Sequence, residues 1–301
     1  MLDLSAPATE VVSPINLHAQ DGRWMKALRR FAKHRLSLLG LLMIILFIIG
    51  GIAAPQLTPY EPDGFDLRAT LADPSADHLL GTDHLGRDVL TRLLYGTRIS
   101  LFVGVLATLV GFSIGVPIGA MSGYFGGTVD LVVQRLIDVM FALPGILLAI
   151  LLASLLGAGL TNVIIAIGVG GIPLFVRLMR GSVLSIREQT FVEAARALGA
   201  SDWEILSRHI LPNALGPVTV QATLNVAITI PAAAGLGFLG LGVPPTTPEW
   251  GAMLADGRNN IFSAPHIAMS AGVAISLVTI GFNFLGDGLR EAFDPISQRD
   301  S

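Results

Sequence analysis

The sequence predicts an all-α polytopic membrane protein with six transmembrane helices and both termini in the cytoplasm. Three observations predict it. Hydrophobic residues fill 52% of the 301 positions and charged residues only 14%, against about 25% charged in a soluble domain. The apolar residues gather into six runs, most near the length of about 20 that crosses a bilayer. Lysine and arginine are distributed unevenly among the segments between those runs.

Residues 1–35 are read as a cytoplasmic leader. They are polar, and Arg23, Lys26, Arg29, Arg30, Lys33 and Arg35 cluster before the first run. Residues 36–53 form that run. A cleaved signal peptide is the competing reading, with Gly51-Ile-Ala53 as its cleavage site. The polar leader is too long and the apolar run exceeds a signal's core, so a retained first span is expected. Residues 54–98 form an extracytoplasmic excursion, with Pro55, Pro59, Pro62 and Pro74 and seven acidic residues. Within it, Asp88–Tyr95 places Val89, Leu90, Leu93 and Leu94 on one helical face. Asp88 and Arg92 stand at i,i+4, the spacing of an exposed ion pair. An interfacial helix leading into the second span is expected there.

The remaining five spans are expected at 99–121, 139–156, 163–176 (extending toward Met179), 214–242 and 267–286. They make up a five-helix core of 99–286, followed by a cytoplasmic tail at 287–301. Pro117, Pro144 and Pro231 lie inside spans, where membrane helices tolerate proline. Thirty-four glycines allow close helix approach. With the N-terminus inside, fourteen of the nineteen basic residues fall on the cytoplasmic side and five outside. The positive-inside rule favours that orientation.

The segment 188–213, EQTFVEAARALGASDWEILSRHILPN, is polar and lies between two apolar runs. Thr190-Phe-Val-Glu193 and Ser201-Asp-Trp-Glu204 both have the S/T-x-x-E spacing of a capping box. Gly199 stands between them, where a left-handed helix end belongs. Pro212 is expected to stop the second helix. Two short helices at about 190–198 and 202–210 follow. The same pattern describes a helix-turn-helix DNA reader. Residues 190–212 hold Arg196 and Arg208 against Glu193, Asp202 and Glu204, which is no basic face for phosphates. No nucleic acid partner is expected. A cytoplasmic docking surface for a protein is.

Several chemistries find no support. There is no G-x-x-x-x-G-K-[ST] phosphate loop, and neither lysine follows a glycine loop. There is no cysteine for a disulfide, thiolate site or nucleophile. The central parts of the spans carry no ionisable residue of the kind that ion-coupled transporters bury; Arg135 and Asp138 lie near one end of span three. No nucleophile–base pair stands out, so no catalytic residue is assigned. Asp77, His78, Asp83, His84 and Asp88 are too loosely spaced for a metal motif and read as a solvated loop. Polar stripes do occur. Gln221, Asn225 and Thr229 recur at i,i+4,i+8 in span five, and Ser276, Thr279 and Asn283 share a face of span six. They fit either interhelical hydrogen bonds or the lining of a pathway, which Pro231 could hinge.

Glu193-Ala194-Ala195, Gly199 and Leu211-Pro212 resemble the EAA loop of bacterial ABC importer permeases, with His209 where the pattern has isoleucine. The segment His78-Leu-Leu-Gly-Thr-Asp-His-Leu-Gly-Arg-Asp-Val-Leu-Thr-Arg-Leu-Leu-Tyr-Gly96 is similar to a loop of the dipeptide/oligopeptide/nickel permease group, "C" type. Leu285–Arg290 and Asp294-Pro295 fit the same group. The resemblance implies a type I ABC importer permease fold in the bacterial cytoplasmic (inner) membrane. It implies a paralogous permease, two cytoplasmic ABC ATPases and an extracytoplasmic peptide-binding protein as partners, besides the lipid bilayer. ATP and Mg would be bound by the ATPases, with no cofactor or metal in this chain. Glu193, Ala194, Ala195 and Gly199, with Ser201, Asp202, Leu211 and Pro212, would form the ATPase-coupling surface. Transport would proceed by alternating access. The rival solutes within the group are nickel and glutathione; outside it stand a secondary transporter or channel and a membrane-embedded enzyme.

Overall fold

The computed structural model describes residues 31–293 apart from Lys33. Most of the basic leader, and Asp294-Pro295 with the rest of the tail, lie outside the described residues. Among those described, five helices are long and apolar enough to cross a membrane, and a pair bent by 86° makes a sixth crossing if it is one broken span. In order they are α1 (Arg35–Ile52), the short α2 (Ala54–Leu57), α3 (Val89–Phe125), α4 (Gly127–Phe141), α5 (Gly145–Leu156), α6 (Leu160–Arg187), α7 (Thr190–Ala197), α8 (Asp202–Phe238), α9 (Trp250–Gly257) and α10 (Pro265–Phe293).

The interfacial helix leads into span two without a break, as one 37-residue helix, α3. Three expectations are corrected. The Asp88–Arg92 pair does not form. Asp88 is the N-cap of α3 and accepts from the Thr91 amide and hydroxyl at 2.7 Å, because a carboxylate at a helix start satisfies amides that nothing else reaches. Span three is not one helix either: α4 and α5 meet at 86°, with Pro144 as the N-cap of α5. Proline cannot donate to the preceding turn, so the chain leaves the α4 axis there. Finally, Pro212 does not stop a helix. A π-helical segment, Ile205–Ile210, runs straight into Leu211–Phe238, with Pro212 in the first turn of the latter.

The helices meet through small residues. Gly111, Gly115, Gly119 and Gly123 recur every four positions on α3. A methyl at Gly119 would meet the Val176 carbonyl oxygen at 2.5 Å, and one at Gly115 the Phe175 Cβ at 2.7 Å. This glycine seam lets α3 and α6 approach backbone to backbone.

Hydrogen bonds fix which helix ends share a side. At one end of the bundle, Arg98 near the start of α3 donates to the Gly51 and Ile52 carbonyls closing α1. His266 near the start of α10 contacts the Thr82 carbonyl at 3.1 Å. At the opposite end, His34 faces Glu291, and Arg187 donates to the Gly123 and Tyr124 carbonyls. The excursion 58–88 thus caps one end, and segment 188–213 sits at the other with both ends of the described chain.

The excursion is held by buried charge. Arg87 bonds Asp83 Oδ2 at 2.5 Å, Asp256 at 2.8 Å and the Pro245 carbonyl at 3.0 Å. Arg92, 1% exposed, donates to the carbonyls of Pro62 and Pro245. His78 pairs with Asp88 at 3.0 Å. Asp83, His84 and Asp256 come within 4.8 Å of one another, but the Arg87 guanidinium is bonded to both carboxylates, so the protein's own cation answers their charge.

Candidate coupling site

Segment 188–213 builds an element with one buried and one bare face. α7 begins a residue earlier than the capping box requires. Gln189 is its N-cap, and its carbonyl accepts from the Val192 amide at 2.9 Å. Thr190 is therefore already helical and makes no cap bond, which corrects the first capping box. Glu193 is exposed, and its side chain lines a cleft of about 370 Å³ with Tyr124, Phe125, Arg187, Glu188, Arg196 and Asp202.

α7 ends as expected at Gly199. The Ala200 amide donates to Ala195 and the Gly199 amide to Arg196, at 3.1 and 3.0 Å, with Gly199 at φ +87. That is a Schellman motif. Ser201 then caps α8, accepting from the Glu204 amide at 3.3 Å. The reciprocal half of this box is replaced: Glu204 binds Arg208 at 2.5 Å one turn on.

The buried face carries Val192, Ala195, Ile205, Leu206 and Ile210, packed with Tyr124, Met179 and Val183. Ala194 faces out while Ala195 is packed. Two polar ties add to this. The Tyr124 hydroxyl donates to Asp202 Oδ1 at 2.7 Å, and Arg187 holds the end of α3. The bare face shows Leu198 at 89% and Trp203 at 66% exposure, and Phe191 in the first turn of α7 is exposed as well. Leu211 is half-buried and Pro212 exposed. Sequence reasoning missed Leu198, Trp203 and Tyr124. The first two could have been found as large apolar residues in a polar loop; nothing near Tyr124 in the chain announces its partner.

The polar stripes divide. Asn225 and Thr229 are buried and face α3: Asn225 donates to Thr108 at 3.3 Å, and Thr229 donates to the Gly104 carbonyl at 2.9 Å. They make the interhelical bonds that the sequence offered as one of two readings. Gln221 is half-buried, and Ser276 and Asn283 are exposed on α10. The Thr279 hydroxyl is buried with no partner among the described residues.

Residues 115–297 match the family described as binding-protein-dependent transport system inner membrane component. Residues 22–74 match the N-terminal transmembrane domain of oligopeptide transport permease C. The glutathione transport system permease protein GsiD of Pectobacterium atrosepticum is 44% identical over 273 residues, covering 90% of this chain and 91% of that one. The dipeptide transport system permease protein DppC of Alkalihalophilus pseudofirmus is 43% identical over 292 residues, covering 97% and 96%. Among solved structures, an inward-facing MetNI methionine ABC transporter chain aligns with a TM-score of 0.56 at 22% identity, over 67% of this chain and 97% of that one; that likeness concerns the fold alone. With five or six candidate crossings among the described residues and relatives matched over nine-tenths of their length, the chain belongs to the binding-protein-dependent transport system inner membrane components and is a multi-pass ABC permease of the bacterial inner membrane.

Proposed function

We propose that this chain is one of two permease halves of an ATP-driven importer for short peptides. Glutathione, itself a peptide, is counted among its possible solutes. The carrying observation is the similarity over nearly the whole chain to a dipeptide permease and a glutathione permease. The end of the bundle bearing segment 188–213 and both described chain ends faces the cytoplasm, in accord with the arginine distribution. A paralogous permease completes the pathway, and an extracytoplasmic binding protein delivers solute at the end capped by residues 58–88.

Two cytoplasmic ATPases supply the energy, and one of them docks on the bare face of α7 and the turn after it. Leu198 and Trp203 are the apolar anchors of that contact, and Glu193 its charged edge. The support is physical. An apolar side chain this exposed on a structured loop gains from being covered by a partner, while the opposite face is fixed to α3 and α6 and can transmit a push.

The test is uptake by the importer reconstituted with all its subunits. Glu193→Lys and Gly199→Val should insert normally and abolish ATP-dependent uptake of a labelled dipeptide or of glutathione; normal uptake in both variants rules out the coupling role. Which of the two solutes the wild-type importer accumulates decides between peptide and glutathione transport.

A further inference from the structure

The excursion has a buried side, held by Arg87 and Arg92, and an outer face that nothing else in the described chain covers. Its two passes lie on one another. The Tyr60 ring stacks on His78 at 4.8 Å between centroids, and its hydroxyl donates to the Asp77 carbonyl at 2.8 Å. The Leu71 amide donates to the Asp83 carbonyl at 3.0 Å and the Ala72 amide to the Thr82 hydroxyl at 2.9 Å. Gly86 packs so closely on the Asp66 backbone that a Cβ there would strike the Asp66 carbonyl. These contacts set Phe65 and Leu67, which flank Asp66, beside Leu85, and they set Leu79 next to the Tyr60–His78 stack.

Phe65, Leu67 and Leu79 are 70%, 68% and 63% exposed. Glu61, Asp63, Asp66, Asp73 and Asp77 are exposed around them, against one exposed arginine in the same segment, Arg68. The ion pairs of this end use Asp83, Asp88 and Asp256, and among the described residues no cation pairs with the outer five carboxylates. Large apolar side chains this bare, in a loop without a helix, gain from being covered. The surplus of negative charge selects what covers them. An anionic membrane surface repels it, and segments that lie on membranes are rich in Lys and Arg instead. The core of a permanent subunit interface is depleted in Asp and Glu, because burying carboxylates without partners is costly. A face that is wet between encounters and covered only during them tolerates both the apolar and the acidic residues. The buried arginines already hold the loop in one shape, so little ordering is left to docking.

We propose that the extracytoplasmic binding protein lands on this outer face, with Phe65, Leu67 and Leu79 as its apolar anchors, and that it answers the five carboxylates with a basic rim of its own. The carboxylates draw the partner in and orient it, and the anchors hold it during delivery. The proposal rests on the importer reading above.

The importer is reconstituted with its ATPases, sister permease and binding protein, and uptake of a labelled dipeptide and of labelled glutathione is measured first with the unmodified chain. Accumulation of neither would overturn the importer reading itself. With uptake present, the landing face is tested alone. The natural chain has no cysteine, so Leu67→Cys places a single thiol on the face. A membrane-impermeant maleimide should label it, and saturating binding protein should slow that labelling at least tenfold. Equal labelling with and without the binding protein would place docking elsewhere. A thiol already shielded before the binding protein is added would mean that lipid or the sister permease covers the face. Glu61→Gln/Asp73→Asn/Asp77→Asn should raise the binding-protein concentration for half-maximal uptake at least fivefold at low salt, and should flatten its rise with added salt. Phe65→Ser/Leu67→Ser should raise it at every salt concentration. A triple variant that follows the unmodified importer across the salt series would remove the steering charge, and loss of the sister permease from the purified double variant would assign the face to the permanent interface. Each of these contrary results overturns the proposal.

Discussion

Gly199 holds φ +87 with the Schellman bonds around it, and a side chain there is strained even though the space is open. Gly199→Ala should therefore destabilise the turn by about 1 kcal/mol without filling any contact, and hydrogen exchange of the Ala200 amide should accelerate accordingly. Ser201→Ala removes the cap of α8 and should cost about 1 kcal/mol, read as a lower unfolding midpoint. Both residues were legible in the sequence because cap chemistry is local. Thr190 and Glu193 carry an equally good signature, yet the N-cap is Gln189 and Thr190 is already helical. What decides there is how α6 ends, with the Gln189 amide turned back on Ile186, which the S/T-x-x-E spacing does not encode. Glu249 was not legible as a site at all. It is buried as the N-cap of α9, accepting from Gly251, Ala252 and Ser100, and burial pushes its carboxyl above the ordinary glutamate range. An acid raised in this way favours the folded state when protonated and costs stability as pH rises from its unfolded value through its folded one. The unfolding midpoint of the wild type, measured against Glu249→Gln in detergent, should fall with rising pH over that window; parallel curves would contradict it.

Among the elements, length and apolarity located the crossings, and proline decided where reading failed. Four prolines, Pro117, Pro173, Pro217 and Pro231, lie inside continuous helices, so a proline alone predicts no break. Pro144 does break its span, and Pro212 joins two helical segments across a π turn in which the Leu211 amide reaches Leu206. A π turn is often found at functional sites, and this one lies between the loop and α8. The bare face of the α7–α8 turn carries the prediction of this scale. Leu198→Ser and Trp203→Ser together should leave insertion and sister-permease assembly intact and should weaken co-purification of the ATPase at least tenfold, since a buried anchor at an interface is commonly worth 2 kcal/mol or more. Unchanged recovery of the ATPase would remove these two residues from the contact.

At the scale of the whole molecule, two devices hold the bundle. The glycine seam joins α3 to α6, and Gly115→Leu should prevent that approach, since even a Cβ would sit 2.7 Å from that of Phe175; loss of the folded monomer in detergent is the expected readout. The charge set of Asp83, Arg87, Arg92 and Asp256 binds the excursion to α9 and the loop before it. The seam could have been read from the four-residue glycine spacing in the sequence. The charge set could not, because Arg87 and Asp256 are 169 positions apart and only the folded chain makes them neighbours.

α3 runs from one device to the other. Its first turn, capped by Asp88, holds Arg92 in the charge set at the excursion end, and its last holds Tyr124 on Asp202. At 37 residues it is about 55 Å long. A single element anchored at both ends makes the two ends thermodynamically reciprocal. If solute delivery at the outer end alters how tightly the loop holds its ATPase, then docking of the ATPase must alter the outer end's affinity for its binding protein by the same factor. The Tyr124–Asp202 bond sets a scale for that exchange. At about 1 kcal/mol for such a bond, Tyr124→Phe should reduce both factors together, roughly fivefold, while leaving each partner's affinity for its own end alone nearly unchanged. The chain would then behave less like a passage with a motor attached than like a balance beam, which cannot be loaded on one arm without lifting the other.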